Sequence, residues 1–188
     1  MSNMFICWNK NKKFPKHLYN KVVKEIEKTY TDKDKFYTSY WGSEIPHSQE
    51  RFGRMVDIIQ PFYDDIISEM MSEMGLFHRC IYRYSLWIQM YNSKTNTHEP
   101  HHHFTEGTDL ISWVHFIKSP RQKCFYFLDS KGKKIYPKQN SGDIIAWPSW
   151  AFHGVDCVKG KNFNRIIAAG NIHLTTFNSS QDLYLKTS

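Results

Sequence analysis

The chain has 188 residues, of which 40% are hydrophobic and 16% are aromatic, and it carries a formal net charge of +7 at pH 7. This composition excludes a disordered chain, and the length fits one domain spanning residues 1–188 with a sizeable core. No apolar run approaches the roughly 20 residues that a membrane-spanning helix needs. The positive charge is spread along the chain, so it indicates an acidic partner such as nucleic acid only weakly.

The cysteines and the first residues indicate the cellular compartment. The four cysteines are far apart in the sequence and form no CxxC motif. The first residues lack the apolar core and the small-residue cleavage site of a secretory signal peptide. These features predict a cytoplasmic protein with free thiols at Cys7, Cys80, Cys124 and Cys157.

The first predicted helix covers residues 15–30. Apolar side chains recur there at intervals of four residues, which places them on one face of a helix. Pro15 suits the start of a helix, where no backbone N–H is needed. The apolar stripe consists of Leu18, Val22, Ile26 and Tyr30.

A second helix is predicted over residues 49–75. Ser48 can cap its N-terminus, and Gly75 ends it. Pro61 is expected to kink or divide this helix, because proline removes a backbone hydrogen bond. Together the two helices make residues 1–78 a helical N-terminal part. The apolar stripe of the second helix consists of Phe52, Met55, Ile59, Phe62, Ile66, Met70 and Met74.

From residue 79 onward the sequence is typical of strands. Short segments rich in β-branched and aromatic residues alternate with turns, which predicts seven or eight strands over residues 79–178. Strands of this length and spacing favour a sandwich or a jelly roll. The predicted fold class is therefore mainly β with N-terminal helices. The clearest strand segments are "LISWVHFI", "KCFYFLD", "IIAWP" and "NRIIAAGNIHL".

The segment "HEPHHH" places four histidines within six residues. In a strand, side chains two residues apart point to the same face. His101 and His103 can therefore face one metal ion, whereas His102 points away. A third ligand must come from elsewhere, and His153 in "WPSWAFHGV" is the best candidate. The histidine pair alone leaves open a solvated, histidine-rich loop.

Arg165 lies at the start of an apolar strand, where a charge is costly unless it is paired. A guanidinium group there is suited to binding a carboxylate through two hydrogen bonds. The alternative is an arginine at a strand edge with its head in water.

Taken together, these pieces resemble the non-haem Fe(II)/2-oxoglutarate-dependent oxygenase superfamily. The resemblance covers residues 87–171 and is greatest to a branch of oxygenases found in bacteria and their phages. It rests on a strand containing Trp87, followed by the His-x-His at His101 and His103 and by "ISWVHF". It continues with "SGDIIAWPSWAFHGV" and with "RIIAAGN", the most specific parts of the pattern.

The resemblance implies a double-stranded β-helix, the jelly-roll barrel shared with cupins, with Fe(II) and 2-oxoglutarate bound at one mouth. His101 and His153 match the iron ligands, and His103 takes the position two residues after the first ligand. Arg165 matches the arginine that pairs with the far carboxylate of 2-oxoglutarate. Relatives often have a hydroxyl residue two positions after this arginine. This chain has Ile167 there, so Tyr91 is the candidate for supplying that hydrogen bond.

One departure from the superfamily concerns the metal ligands. The usual triad is two histidines and one carboxylate. Here His103 occupies the carboxylate position, and the nearby Glu99, Glu106 and Asp109 are alternative third ligands. Three neutral ligands would leave the iron more positive, which could alter its oxygen chemistry or favour another metal.

The activity implied by the resemblance is that of a hydroxylase. It would consume O2 and 2-oxoglutarate, release succinate and CO2, and hydroxylate a primary substrate that the sequence does not identify. The oligomeric state is likewise not readable. Two alternatives stay open at this point: a cupin-like three-histidine metalloenzyme without 2-oxoglutarate, and a non-catalytic basic module that binds nucleic acid.

Overall fold

The computed structural model describes residues 5–29, 36–40, 48–77, 80–92, 98–104, 109–157 and 164–177. Within these residues the chain forms two helices and eleven strands. The helices are α1 (Lys16–Thr29) and α2 (Ser48–Glu73). The strands are β1 (Trp8–Asn11), β2 (Phe36–Thr38), β3 (Cys80–Tyr84), β4 (Trp87–Tyr91), β5 (His98–His101), β6 (Asp109–Lys118), β7 (Phe125–Leu128), β8 (Lys134–Ile135), β9 (Asp143–Pro148), β10 (His153–Val155) and β11 (Arg165–Phe177).

Both helices lie where the sequence predicts them. α1 begins directly after Pro15, whose carbonyl accepts a hydrogen bond from the N–H of Tyr19 at 2.9 Å. α2 continues through Pro61 as one helix, so the division considered for this position does not occur. Gly75 then ends the helix with a positive φ of 71°, a conformation that glycine adopts without strain. Neither helix is both long and apolar enough to cross a membrane, among the residues described.

The strands form two antiparallel sheets. The larger has the order β1-β9-β6-β11-β4-β2, and β3 pairs with the far end of β11, beyond the part that pairs with β4. The smaller has the order β5-β10-β7-β8. The mainly β class with N-terminal helices is therefore confirmed.

The large sheet is buried on both of its faces. Along β11, Ile166 and Ala168 pack with the helices, whereas Ile167 and Ala169 pack with the small sheet. The other central strands alternate in the same way. This two-sided burial explains why strand segments such as "LISWVHFI" read as continuous apolar runs.

Two strands lie in the part of the chain that the sequence suggests is helical. β1 pairs with β9, and β2 pairs with β4, so each extends one edge of the large sheet. The segment "WNKN" of β1 is largely polar and shows no strand pattern. Its conformation comes from the unpaired backbone groups that the edge of a sheet offers.

His115 joins the outer face of the large sheet to α2. Its side chain is fully buried, and its two ring nitrogens contact the hydroxyl of Tyr63 at 2.8 Å and the carbonyl of Lys12 at 3.0 Å. A carbonyl only accepts, so Nε2 carries the proton and Nδ1 accepts from the tyrosine. Burial lowers the pKa of His115 to about 4, which keeps the ring neutral in the folded protein.

The buried histidine makes folding sensitive to acid. Its pKa is about 6.5 when unfolded and about 4 when folded, so its contribution is complete above pH 6.5 and is lost as the pH falls toward 4. For this residue the loss between pH 7.5 and pH 5 is about 2 kcal/mol of unfolding free energy. Urea denaturation at both pH values should show a smaller loss in His115→Gln than in wild type. An identical pH dependence in both proteins would contradict this account.

Substitution of two glycines by alanine is expected to change the unfolding free energy in opposite directions. A Cβ at Gly170, in the middle of β11, would lie 1.9 Å from the carbonyl oxygen of Ser85 and 2.8 Å from Nε1 of Trp113. Gly170→Ala should therefore lower the unfolding free energy by about 3 kcal/mol or more. A Cβ at Gly53 in α2 meets nothing within 4 Å. Gly53→Ala should raise the unfolding free energy by about 0.5–1 kcal/mol, because alanine favours helix. Urea denaturation measures both, and equal midpoints for the two variants would refute the packing argument.

Candidate metal centre and its cavity

A cavity of about 320 Å³ lies between the two sheets. The large sheet contributes mainly apolar and aromatic side chains to its wall. The small sheet contributes histidines, so the cavity has one apolar wall and one imidazole-rich wall. Residues on these walls include Trp87, Val114, Trp147 and Ile167 from the large sheet, and His98, His101 and His153 from the small sheet.

Three histidines meet at one end of this cavity. One nitrogen from each of His101, His103 and His153 lies within 4.8 Å of the corresponding nitrogens of the other two. The strand register explains the meeting, since His101 on β5 lies directly opposite His153 on β10. His103 follows the end of β5, and its N–H donates to the carbonyl of Ser149 at 2.9 Å. This geometry could hold one metal ion.

Hydrogen bonds orient two of these rings. Nδ1 of His101 lies 2.9 Å from the carbonyl oxygen of Glu99, and Nδ1 of His153 lies 3.0 Å from that of Ala151. Because a carbonyl only accepts, each Nδ1 carries the proton and each Nε2 keeps a free lone pair. Backbone carbonyls commonly fix metal-binding histidines in this way.

The electrostatics of the cluster also suit metal binding. Burial lowers the pKa of His103 to about 4 and the pKa of His153 well below its ordinary value, and the neighbouring histidines lower both further. Burial lowers the pKa of His101 as well. All three rings are therefore neutral at pH 7, which is the state in which imidazole binds metals.

His102 points away from the cluster. It is exposed, and its ring packs against Phe152 with a centroid distance of 4.8 Å. His102 therefore faces away from His101 and His103, as expected from their positions in the sequence.

The carboxylates considered as third ligands are not part of the described cluster. The side chain of Glu99 is exposed, and Asp109 pairs with His173. Glu106 lies outside the described residues. Within the described part of the chain, the group that could hold a metal consists of histidines alone.

Arg165 is fully buried, at 0% exposure. Its guanidinium carbon lies 5.2 Å from the ring centre of Tyr91 and 5.5 Å from that of Phe116. None of its three side-chain nitrogens has a hydrogen-bond partner among the described residues. The structure therefore excludes the alternative of an edge arginine with its head in water.

The side chain of Arg165 belongs to the inner face of the large sheet. Ile167 and Ala169 line the cavity, and residues two apart on a strand share a face. A buried guanidinium without a partner is costly. Its surroundings therefore fit a bound anion, and the planar donor group matches a carboxylate.

Tyr91 lies beside Arg165. The two are opposite each other in the pairing of β4 with β11, and Tyr91 lines the cavity. Its hydroxyl donates to Oε1 of Gln89 at 2.8 Å. Burial raises the pKa of Tyr91 to about 12, although the charge of Arg165 acts in the opposite direction, so the hydroxyl keeps its proton.

Sequence reasoning gave no role to His98, which also lines the cavity. Its ring lies 4.4 Å from that of His101. The three-residue spacing between them would place them on opposite faces of a regular strand. However, His98 lies opposite Val155 and His101 lies opposite His153, so β5 has one residue more than β10 over this stretch. This bulge allows both histidines to line the cavity, and the sequence carries no sign of it.

The comparisons with known proteins rest on structure. No protein-family profile matches the sequence, and no curated protein matches it. The viral collagen prolyl hydroxylase vCPH from Paramecium bursaria Chlorella virus-1, solved with 2-oxoglutarate, is 14% identical with a TM-score of 0.54, covering 90% of this chain and 96% of its own. A Trichoplax adhaerens prolyl hydroxylase, solved with a hypoxia inducible factor peptide fragment, is 9% identical with a TM-score of 0.56, covering 88% and 82%.

A third similar structure differs in its reaction. The non-haem α-ketoglutarate-dependent epimerase SnoN from nogalamycin biosynthesis is 10% identical, with a TM-score of 0.52, and the match covers 87% of this chain and 76% of SnoN. At these identities the likeness concerns the fold. The chain therefore has the double-stranded β-helix fold of 2-oxoglutarate-dependent Fe(II) oxygenases, as its sequence resemblance implies.

Proposed function

We propose that this protein is an Fe(II)- and 2-oxoglutarate-dependent oxygenase that hydroxylates its substrate. The observation that carries the proposal is the unpaired, fully buried Arg165 on the face of the sheet that lines the histidine cavity. A metal ion accounts for the three histidines but not for the arginine. A metal ion together with a bound dicarboxylate accounts for both.

In this proposal His101, His103 and His153 hold the iron. Arg165 binds the far carboxylate of 2-oxoglutarate, and Tyr91 lies beside it as a further hydrogen-bonding group. When bound, the iron and 2-oxoglutarate supply the oxidation: O2 is consumed, succinate and CO2 are released, and one oxygen atom is transferred to the substrate.

The protein's own contribution is binding, orientation and exclusion of water. The carbonyls of Glu99 and Ala151 hold two of the imidazoles in the required tautomer. The aromatic rings around Arg165 keep water from its guanidinium group, which strengthens its pairing with a carboxylate. The apolar wall of the cavity protects the reacting groups from solvent.

The alternatives explain fewer of these features. A three-histidine cupin without 2-oxoglutarate leaves Arg165 buried without a hydrogen-bond partner among the described residues. A module that only binds nucleic acid explains neither the histidine cluster nor the arginine. The primary substrate stays open, because the similar folds include both prolyl hydroxylases and an epimerase.

We further infer that the protein works in a reducing compartment, the cytoplasm, which is the host's cytoplasm if a phage encodes the protein. Cys7, Cys80 and Cys124 are free thiols in the structure. The buried Cys80 and Cys124 have pKa values raised by burial, which makes them unreactive.

The first prediction concerns the metal. His153→Ala removes one of the three proposed ligands and should lose most of the bound Fe(II). His102→Ala, the control next to the cluster, should keep it. Metal content after anaerobic loading measures the difference, and circular dichroism checks that both variants are folded. If folded His153→Ala retains as much iron as His102→Ala, His153 is not a ligand.

The second prediction concerns Arg165. A charge-assisted hydrogen-bonded pair contributes about 1.5–3 kcal/mol, so Arg165→Met should weaken 2-oxoglutarate binding by at least about tenfold. Arg165→Lys keeps the charge but loses the planar donor group, so its affinity should be intermediate. Iron content should stay unchanged in both variants. Calorimetry on the iron-loaded, oxygen-free protein measures the affinity.

The Arg165 variants also allow a loss of 2-oxoglutarate binding to be distinguished from a loss of folding. Arg165 has no hydrogen-bond partner among the described residues, so Arg165→Met should not destabilise the ligand-free protein. Absence of 2-oxoglutarate binding in iron-loaded wild type would refute the oxygenase and favour the three-histidine cupin. Equal binding by wild type and Arg165→Met would show that another residue holds the carboxylate.

A further inference from the structure

The described residues that line the cavity cannot compensate the charge of a bound metal ion. Four histidines line it, and no carboxylate is among its described lining residues. An imidazole must be neutral to bind a metal ion. The three histidines at the metal end therefore leave both charges of a divalent ion uncompensated.

Arg165, on the sheet face that lines the cavity, adds a third positive charge. A bound 2-oxoglutarate brings two negative charges, which leaves one positive charge in excess. In the usual triad of two histidines and a carboxylate, the protein itself cancels this charge. Here His103 takes the place of that carboxylate and carries no negative charge. A net charge between two sheets is costly because fewer water molecules can solvate it there than at the surface. Counted over the residues that the structure describes, the loaded cavity is therefore one negative charge short.

Trp147 offers a hydrogen-bond donor for a further anion near the metal end. Its ring is 4.9 Å from that of His153, it lines the cavity, and it is only 2% exposed. Its Nε1 is buried and has no hydrogen-bond partner among the described residues. An indole N–H can only donate, so the group that satisfies it must be an acceptor. An anion at the metal end of the cavity would be such an acceptor.

We propose that the substrate presents an anionic group to the metal end of this cavity, where it supplies the charge that His103 does not and accepts a hydrogen bond from Trp147. This inference rests on the proposed function and narrows it to acidic substrates. An inorganic anion such as chloride has the same chemistry, and the two sources are separated by the probes below.

The first test compares small probes on one protein. Wild type loaded with Co(II) and 2-oxoglutarate is titrated with acetate, acetamide and chloride, and the visible absorption of the metal is followed. Acetate should bind at least tenfold more tightly than acetamide, its neutral counterpart. Equal binding of these two would overturn the proposal. If chloride binds more tightly than acetate, the missing charge comes from an inorganic anion and the substrate proposal fails.

The second test supplies the missing negative charge from the protein itself. His103→Asp places a carboxylate in the ligand position and should weaken acetate binding at least tenfold. His102→Asp adds the same charge one residue away, on the exposed side, and should change acetate binding by no more than about twofold. Equal acetate affinity in the two variants would refute the role of His103.

A third variant keeps the proposal testable if His103→Asp does not bind metal. Trp147→Phe removes the indole N–H and should weaken acetate binding several-fold with unchanged metal content. Unchanged acetate affinity in this variant would refute the location of the anion.

Failure of this inference and failure of the proposed function look different. If wild type binds 2-oxoglutarate but does not prefer acetate over acetamide, the oxygenase stands and the acidic substrate does not. If wild type binds metal and acetate but no 2-oxoglutarate, the oxygenase itself is refuted.

Discussion

Burial of the large sheet on both faces is the constraint on which the rest of this structure depends. The helices cover one face and the small sheet covers the other, so the middle of each central strand is shielded from water. Arg165 begins such a strand, between β4 and β6, and is therefore enclosed. A hydrophobic core does not tolerate an unpaired guanidinium without a compensating anion. The packing that stabilises the fold thus also leaves a buried positive charge that a bound anion would compensate.

The pairing of β5 with β10 builds the other half of the site. It places His101 opposite His153, and the bulge in β5 turns His98 into the same cavity. These strands belong to the small sheet, whereas Arg165 belongs to the large one. The cavity between the sheets therefore has the histidines on one wall and the sheet face that carries Arg165 on the other, and each wall is fixed by its own backbone hydrogen bonds.

The chemistry of the site follows from which residues occupy these positions, because the fold is shared by enzymes with different reactions. An all-histidine cluster has a different charge from the two-histidine, one-carboxylate triad. This single difference changes which ligands the cavity can stabilise. The surrounding donors, Trp147 and Arg165, are consistent with a cavity that receives acceptors.

Much of this protein follows from its sequence. Four-residue apolar spacing determined α1 and α2, and the motifs around His101 and His153 identified residues that meet at the cavity. These features are local, because they depend on periodicity and residue type. Only the tertiary structure decided the rest. Edge pairing made β1 a strand, since its polar sequence has no preference of its own. The bulge that places His98 in the cavity depends on β10, and the enclosure of Arg165 depends on the neighbouring strands and the small sheet. The sequence alone determined which groups are present, and contacts between distant segments decided which of them lack partners.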